Sequence, residues 1–326
     1  MIQGRMIKRR LLLSAAATAV LGQRFAAAQT DAWPNRPLRF VVGFPAGSTP
    51  DLIARTLAEP LSPLVGQPVV VENKPGASGN IAADIVAKSK DDHTVGVMIN
   101  VNLTIAKLLT STLNFDPRRD LLPICLVGTG PLIVTLSPKW KDKATLDALR
   151  AAGTKLNYGS VGIGSMAHLG MELLGTRLGI APTHVPYPGN PQVLQALSSD
   201  EIDIALVPAG LAMPQVRAGK VVGLAVAASQ RSGLAPDVPS LAELGAKDLD
   251  VQVWVGVAVP TSMPEPHRRK LETLLLDIIR RPEVEKQLVT QGWDVAALPS
   301  EAFARRLESE TAMLSAIIEK QNIKAN

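Results

Sequence analysis

The chain has 326 residues, 46% of them hydrophobic and 19% charged. This is globular composition rather than disorder, in a length that suits two domains or one large one. Its formal charge of +5 does not mark a nucleic-acid binder. Arg5, Lys8, Arg9, Arg10 and Arg24 all precede Gln29, the rest balances 29 basic against 29 acidic residues, and aromatics are only 3%, too few for base-stacking platforms.

Residues 1–28 have the form of an export signal. Lys8–Arg10 is a basic start, Leu11 to Leu21 is an apolar run too short to span a bilayer comfortably, and Ala26–Ala28 offers a small-residue cleavage site. The expectation is a mature chain beginning near Gln29, after cleavage near Ala28, outside the cytoplasm. The paired arginines before Leu11 hint at twin-arginine export.

Leu38 to Val42 is a short β-branched run that predicts a buried strand. Phe44 to Pro50 breaks it with turn chemistry. A helical stripe of Leu52, Ile53, Thr56 and Leu57 follows, with Ser48 or Thr49 as cap and Pro50 in the first turn. Such a strand–loop–helix junction aims unpaired N–H groups and a helix dipole at an anion. Further strands are predicted at Val69–Glu72 and Thr94–Asn100, with helices at Ile81–Lys88 and around Thr104–Thr110. This alternation implies a parallel sheet with covered faces.

Next come strands at Ile124–Val127 and Leu132–Leu136, read as interrupted by Gly128–Pro131. Cys125, the single cysteine, sits in the apolar run Leu121–Val127 and reads as a small buried hydrophobe. The middle of the chain repeats the opening pattern. Strands are predicted at Leu156–Tyr158, Thr183–Tyr187, Ile202–Val207 and Val221–Ala227, with helices at Met166–Leu178 and from Pro191 to about Ser198. The last third adds a strand at Trp254–Val259 and helices at Glu265–Arg280, Pro282–Gln291 and Ser300–Lys320. These helices need a sheet to cover, and the first one is the natural candidate. The expected division is a signal at 1–28, one domain from 29–127 plus 229–326, and a second from 128–228. The crossovers would lie near Leu126–Gly130 and Val226–Gln230.

Catalytic patterns are incomplete. Gly162-Ile-Gly-Ser-Met-Ala167 fits G-x-G-x-x-A, but the next strand, His184–Pro188, lacks the acid a ribose would need. Tyr158-Gly-Ser-Val-Gly162 lacks the first glycine of a nucleophile elbow. His93, His168, His184 and His267 show no metal-ligand spacing. No cofactor and no metal are expected. What remains is a set of loops after strands, Phe44–Asp51, Pro75–Asn80, Asn100–Thr104, Ser160–His168, Tyr187–Gln192 and Pro208–Pro214. They are rich in Gly, Ser, Thr, Asn and Pro and contain no Lys or Arg. Lining one cleft, they would form a neutral nest of N–H donors for a carboxylate.

An ordered series of motifs runs through these segments. It comprises Trp33–Pro37 with Phe44–Asp51, Gly66-Gln-Pro-Val-Val-Val-Glu-Asn-Lys-Pro-Gly76, Leu156–Ser160, His168–Leu169, His184–Gly189 and Pro236–Ser240. With it the chain resembles the substrate-binding proteins of tripartite tricarboxylate transporters, also called the Bug family. The resemblance implies an α/β fold of the periplasmic-binding-protein type (type II), with two α/β domains, a cleft and two crossovers. It implies a monomeric receptor that closes on a small organic carboxylate, which could be a di- or tricarboxylate, an acidic amino acid or an aromatic acid. Delivery would be to a two-component integral membrane permease. Carried over, the gripping residues are Phe44, Ala46, Gly47, Ser48 and Asp51, with Asp51 ordering its loop. Ser78, Asn100 and Asn102 come from the neighbouring loops of that side. Facing them are Ser160, Gly162, Gly164, Ser165 and His168, flanked by Tyr187, Pro188, Gly189, Asn190, Pro208, Ala209 and Gly210.

The chain departs from the family pattern at Ser48, where a second glycine is usual, and at Asp91-Asp-His-Thr94, Lys107 and Met313. Two other readings stay open. One is an exported hydrolase using Ser160 or Ser165 with His168. The other is a sensory partner presenting ligand to a membrane kinase.

Overall fold

A computed structural model describes residues 33–110, 113–247, 249–321 and 323. The export signal expected at 1–28 lies outside the described residues. Strand β1 (Leu38–Val42) leads into α1 (Thr49–Val65), and β2 (Val69–Asn73) into α2 (Asn80–Ala87). Then come β3 (Thr94–Ile99), three short helices α3 (Asn100–Leu103), α4 (Ala106–Leu109) and α5 (Pro117–Asp120), β4 (Leu121–Leu136) and α6 (Leu146–Ala152). The middle holds β5 (Asn157–Ser160), α7 (Met166–Leu178), β6 (Thr183–Pro186), α8 (Asn190–Ser198), β7 (Ile204–Pro208), α9 (Ala209–Arg217) and β8 (Val222–Val226). The chain ends with β9 (Gln252–Pro260), α10 (Glu265–Ile279), α11 (Pro282–Thr290), β10 (Asp294–Pro299) and α12 (Ser300–Gln321).

The strands form one curled sheet in the order β2-β1-β3-β9-β4-β7-β5-β6, with β8 and β10 also paired to β4. In one half, β1 lies parallel to β2 and β3, while β9 runs antiparallel to β3 and β4. In the other, β5 lies parallel to β6 and β7, and β4 pairs antiparallel with β7 and β8. Strand β4 belongs to both halves. It pairs with β9 from Leu121↔Pro260 to Pro131↔Gln252, and from Leu132 onward with β7.

The break expected at Gly128–Pro131 is therefore absent, and the segment is the middle of one 16-residue strand. Its glycines answer to crowding, not turning. A Cβ on Gly130 would stand 3.2 Å from the Trp293 ring, and one on Gly128 would stand 3.1 Å from the Asp294 carbonyl. Register shifts at Pro123/Cys125 and Leu126/Gly128 interrupt the ladder as bulges. The helix expected around Thr104–Thr110 is shortened to α4, and the loop expected at Asn100–Thr104 instead forms the single turn α3. Between them the Thr104 hydroxyl donates to the Asn100 carbonyl at 2.8 Å, a back-bond that bends helices. Strand β10 was not expected, because Asp294–Pro299 has neither alternation nor a β-branched run. Its pairing to β4 forms it, with a register shift between Val295 and Leu298.

Alternation along the strands feeds both faces of the sheet. Phe40 and Val42 join Ile53, Leu57 and Leu61 of α1 and Leu271, Leu275 and Ile278 of α10. Val41 points the other way, with Ala82, Ala83 and Val86 of α2, Trp254 of β9 and Phe303 of α12. In the other half Ile204 and Leu206 meet α7, while Ala205 and Val207 meet α8 and α9. Helices α10 and α11 cover the first half as expected. Helix α12 does more: Phe303 packs in the first half, and Leu314 and Ile318 pack with α7 residues in the second. Trp254 meets Phe303 edge-on at 5.1 Å and donates its indole N–H to Glu310 Oε2 at 2.8 Å. Cys125 is buried, and burial pushes its thiol well above the usual range. The unusual Asp92-His93 pair has a structural role. The Asp92 carboxylate lies 2.6 Å from His93 Nδ1 and 2.8 Å from His267 Nδ1, and His267 stacks on Trp33.

Removing the ring that α12 sends into the first half should be costly. Phe303→Ala is expected to lower stability by about 3–5 kcal/mol, read as a shift in the guanidinium unfolding midpoint. A change under about 1 kcal/mol would show that α12 does not help hold the fold.

Candidate functional site

The candidate loops follow the carboxyl ends of β1, β2, β3, β5, β6 and β7, and within each half those strands are parallel. Topology alone therefore brings the loops of each half to one edge of the sheet.

In the first half the loops are joined backbone to backbone. A Cβ on Gly43 would stand 2.4 Å from Gly79 Cα, so the turn after β1 lies directly on the turn before α2. Asn102, almost fully buried, ties the third loop to them, its amide donating to the Ser78 carbonyl and to Asn80 Oδ1, each at 2.9 Å. Asp51 shapes the first loop from within. Its carboxylate accepts from the Gly47 N–H at 2.8 Å, from Asn73 at 2.9 Å and from Arg55 at 3.0 Å. Burial opposes its charge, but Arg55, the Gly47 amide and Asn73 together overcome this and hold the carboxyl below its usual range. Asn73 also donates to the Phe44 carbonyl at 2.9 Å. Asn100 is fully buried, and its amide donates to the Gln252 carbonyl at 3.1 Å, which couples this loop to β9.

In the second half the loop after β5 is equally self-contained. Ser165 caps α7 by accepting from the His168 N–H at 3.2 Å, and its hydroxyl donates to the Gly162 carbonyl at 2.8 Å. The Gly164 N–H donates to His168 Nδ1 at 3.0 Å, which requires a neutral imidazole there. Burial, then the neighbouring His184, push the His168 pKa down to about 4. His184 lies 4.4 Å from His168 and 4.8 Å from Tyr158, ring on ring, and its Nε2 is 2.7 Å from Ser160 Oγ. Tyr158 closes the stack by donating to Glu172 Oε1 at 2.5 Å. The Tyr187 N–H donates to the Ser160 carbonyl at 2.8 Å, which joins the loop after β6 to this group.

These contacts correct the expectation of an open nest. The N–H groups of Gly47, Ser48, Gly162, Gly164 and Ser165 already have acceptors inside the protein. First-turn amides of α1, α7, α8 and α9 are further donors, since helix geometry leaves N–H groups there without intrahelical partners. Side chains of Asp51, Asn102, Ser160 and His168 are likewise engaged internally, so they shape loops. Ala46, Gly47, Ser78 and Pro188 are exposed. Phe44, Ser48, Gly162, Tyr187, Gly189, Asn190, Pro208 and Gly210 are half-buried, and Ala209 is buried. The Ser48 hydroxyl is buried without a partner.

A hydrolase built on His168 is not assembled here. The imidazole beside Ser160 is that of His184, Ser160 is 1% exposed, and His168 Nδ1 is occupied by Gly164. Sequence reasoning left His184 out of the site, although it faces Tyr158 across the β5–β6 pair. It also left out Asn73, for which the Asn-Lys-Pro-Gly turn was a usable signal.

The two halves approach each other at two of the loops. A Cβ on Gly164 would stand 2.3 Å from Leu109 Cδ1, and one on Gly210 would stand 2.8 Å from Gly292 Cα. Cavities of about 510 and 200 Å³ lie beside β9, the larger against α12 and Met166 and the smaller against Gln230 and Asp294. Neither is lined by the candidate residues.

Comparison with known proteins adds four findings. The model of the tripartite tricarboxylate transporter family receptor (TctC) matches residues 53–323. A UPF0065 protein of Bordetella pertussis is 36% identical over 267 residues, covering 80% of this chain and 82% of its own. Among solved structures, MatC from Rhodopseudomonas palustris with bound malate is 28% identical with a TM-score of 0.78, over 88% of this chain and all of that one. The R. palustris protein Rpa4515 with adipate is 27% identical with a TM-score of 0.81, over 90% and 99%.

Because His168 and His184 are both held neutral by burial, acid should weaken the protein. A lowered folded pKa means the unfolded chain takes up protons first. Stability is full above about pH 6.5 and falls as pH drops toward about 4. For His168 alone the loss is as much as about 3 kcal/mol. Burial raises the Glu310 and Asp294 carboxyls, which pushes the other way, so the measurement is a difference. Denaturant unfolding of the wild type and of His168→Gln between pH 7 and 4.5 should converge as pH falls. Parallel curves would contradict the buried neutral imidazole.

Proposed function

The chain belongs to the tripartite tricarboxylate transporter receptor family, and on that premise we propose that it captures a small carboxylate in the periplasm and delivers it to a two-component membrane permease. It is a receptor, not an enzyme, as members of this family are. The observation that carries the ligand class is the shared fold, over nearly the whole chain, with proteins whose structures hold malate and adipate. Among the described residues no helix is long and apolar enough to cross a membrane.

On this reading the two halves of the sheet are lobes that close over the ligand about the β4–β9 pair, residues 29–127 with 229–326 and residues 128–228 by the expected division, with Ala235, Val238, Leu241, Leu249 and Val251 packing into the second. The anion would lie between the starts of α1, α7, α8 and α9. There first-turn amides and their dipoles supply positive potential without a fixed cation. Four observations support this. The loops are free of Lys and Arg. Arg55, the nearest guanidinium along α1, is bound to Asp51. The loops are rigidified by internal hydrogen bonds, so little entropy is lost on binding. Finally, Gly47 faces open space, since a Cβ there would meet nothing within 4 Å.

Calorimetry and thermal shift with malate, adipate, citrate, aspartate and benzoate test the ligand class. A true ligand at a hundredfold excess over its Kd should add about 2.7 kcal/mol of stability. No response to any of the five would overturn the proposal. Gly47→Trp should then abolish binding of the responding acid while the protein stays folded. Unchanged affinity would exclude the first loop from the site.

A further inference from the structure

At one point the two halves meet by backbone alone. Gly210 opens α9 just after β7, and Gly292 forms the turn between α11 and β10. A Cβ on Gly210 would stand 2.8 Å from Gly292 Cα and 3.1 Å from the Gln291 carbonyl oxygen. A Cβ on Gly292 would stand 2.5 Å from Gly210 Cα and 3.0 Å from its nitrogen. Ordinary contact begins near 3.4 Å, and main chain cannot swing aside as a side-chain tip can. The Gly164–Leu109 approach differs in that respect, because the atom in the way is the end of a leucine.

The place of this contact gives it leverage. Pro208 pairs with Leu132 of β4, and Asp294 pairs with Thr129 of the same strand. The two glycines thus meet where the halves share β4. A small separation forced at this point grows with distance from β4, so it is larger at the loops after β1, β5 and β6 than at the pivot itself. Gly210 also belongs to one of those loops, so whatever seats Gly210 places the start of α9.

Resting on the receptor reading, we propose that Gly292 and Gly210 are the stop of the closing motion. They form a side-chain-free seat beside the pivot that lets the lobes reach the ligand-holding state. Gly292 is then a positioning residue that need not touch the ligand. A methyl group on either glycine wedges the lobes apart. Apparent affinity falls by the fraction of molecules still able to close, so tenfold fewer closed molecules bind about tenfold more weakly.

The test uses Gly210→Ala as the main variant, since Gly210 is not among the glycines with positive φ, and Gly292→Ala (φ +88°) as the second. Gly66→Ala is the control, because it carries the same kind of backbone strain (φ +68°) with nothing within 4 Å of the new methyl. Each full-length protein, shown folded by circular dichroism, is titrated with malate and adipate and measured by small-angle scattering with and without them. The expected result is at least about tenfold weaker binding and a larger ligand-bound radius of gyration for either wedge variant, with the control like the wild type. Wild-type affinity and compaction in a folded wedge variant would overturn the stop. If the wild type binds neither acid, the receptor reading loses its support and ligand-free scattering decides the stop separately. A larger wedge-variant particle sustains it, and equal particles overturn it.

Discussion

The uninterrupted pairing of β4 with β9 is the constraint on which the rest of this structure depends. From Leu121↔Pro260 to Pro131↔Gln252 two long strands run side by side, and β4 then continues into the second half. A loop linker would leave the halves free in orientation. A hydrogen-bonded ribbon permits bending and twisting but resists sliding, because sliding breaks the whole ladder at once. The bulges at Pro123/Cys125 and Leu126/Gly128, and the glycines under Trp293, lie in the stretch where such bending would be absorbed. Helix α12 is a second strap across the same region, anchored by Phe303 at one end and by Leu314 and Ile318 at the other.

The loops are ordered before any ligand arrives. Asp51 with Gly47, Asn73 and Arg55 closes the first loop on itself. In the second half, His184, His168 and Ser165 do the same for the loop that opens α7. Both devices use buried polar groups whose protonation state is set by their partners. Asp51 is ionised because its three donors outweigh burial. His168 is neutral because burial, and then the neighbouring His184, both oppose its charge. On the proposed reading, recognition is left to helix starts and to shape, which suits a receptor that must release what it binds.

Much was legible in the order of residue types. The alternation of β-branched runs with helical stripes showed an α/β chain with parallel strands. The Gly, Ser and Pro clusters marked the loops at strand ends, and the ordered motifs identified the family. Other features were not legible. Gly128 and Gly130 read as turn residues, since a glycine demanded by a crowding tryptophan looks the same in sequence as one demanded by a turn. Asp294–Pro299 lacked strand character because its pairing partner, not its own propensity, makes it a strand. The donors expected at Gly47, Ser48, Gly162, Gly164 and Ser165 could not be known as occupied, because their acceptors lie two to four residues away in loops of irregular path.

By itself, then, the sequence determined most of the strands, the long helices and the family, since each rests on local periodicity or on ordered motifs, but it read Asn100–Thr104 and Pro208–Pro214 as loops where the chain forms α3 and the start of α9. Only the tertiary structure decided that one strand serves both halves, that His184 supports Ser160, and that Gly210 meets Gly292. Each of these joins residues that are distant in sequence or depends on the path of the backbone. Such contacts are set by how the layers pack, and packing leaves no local periodicity to read.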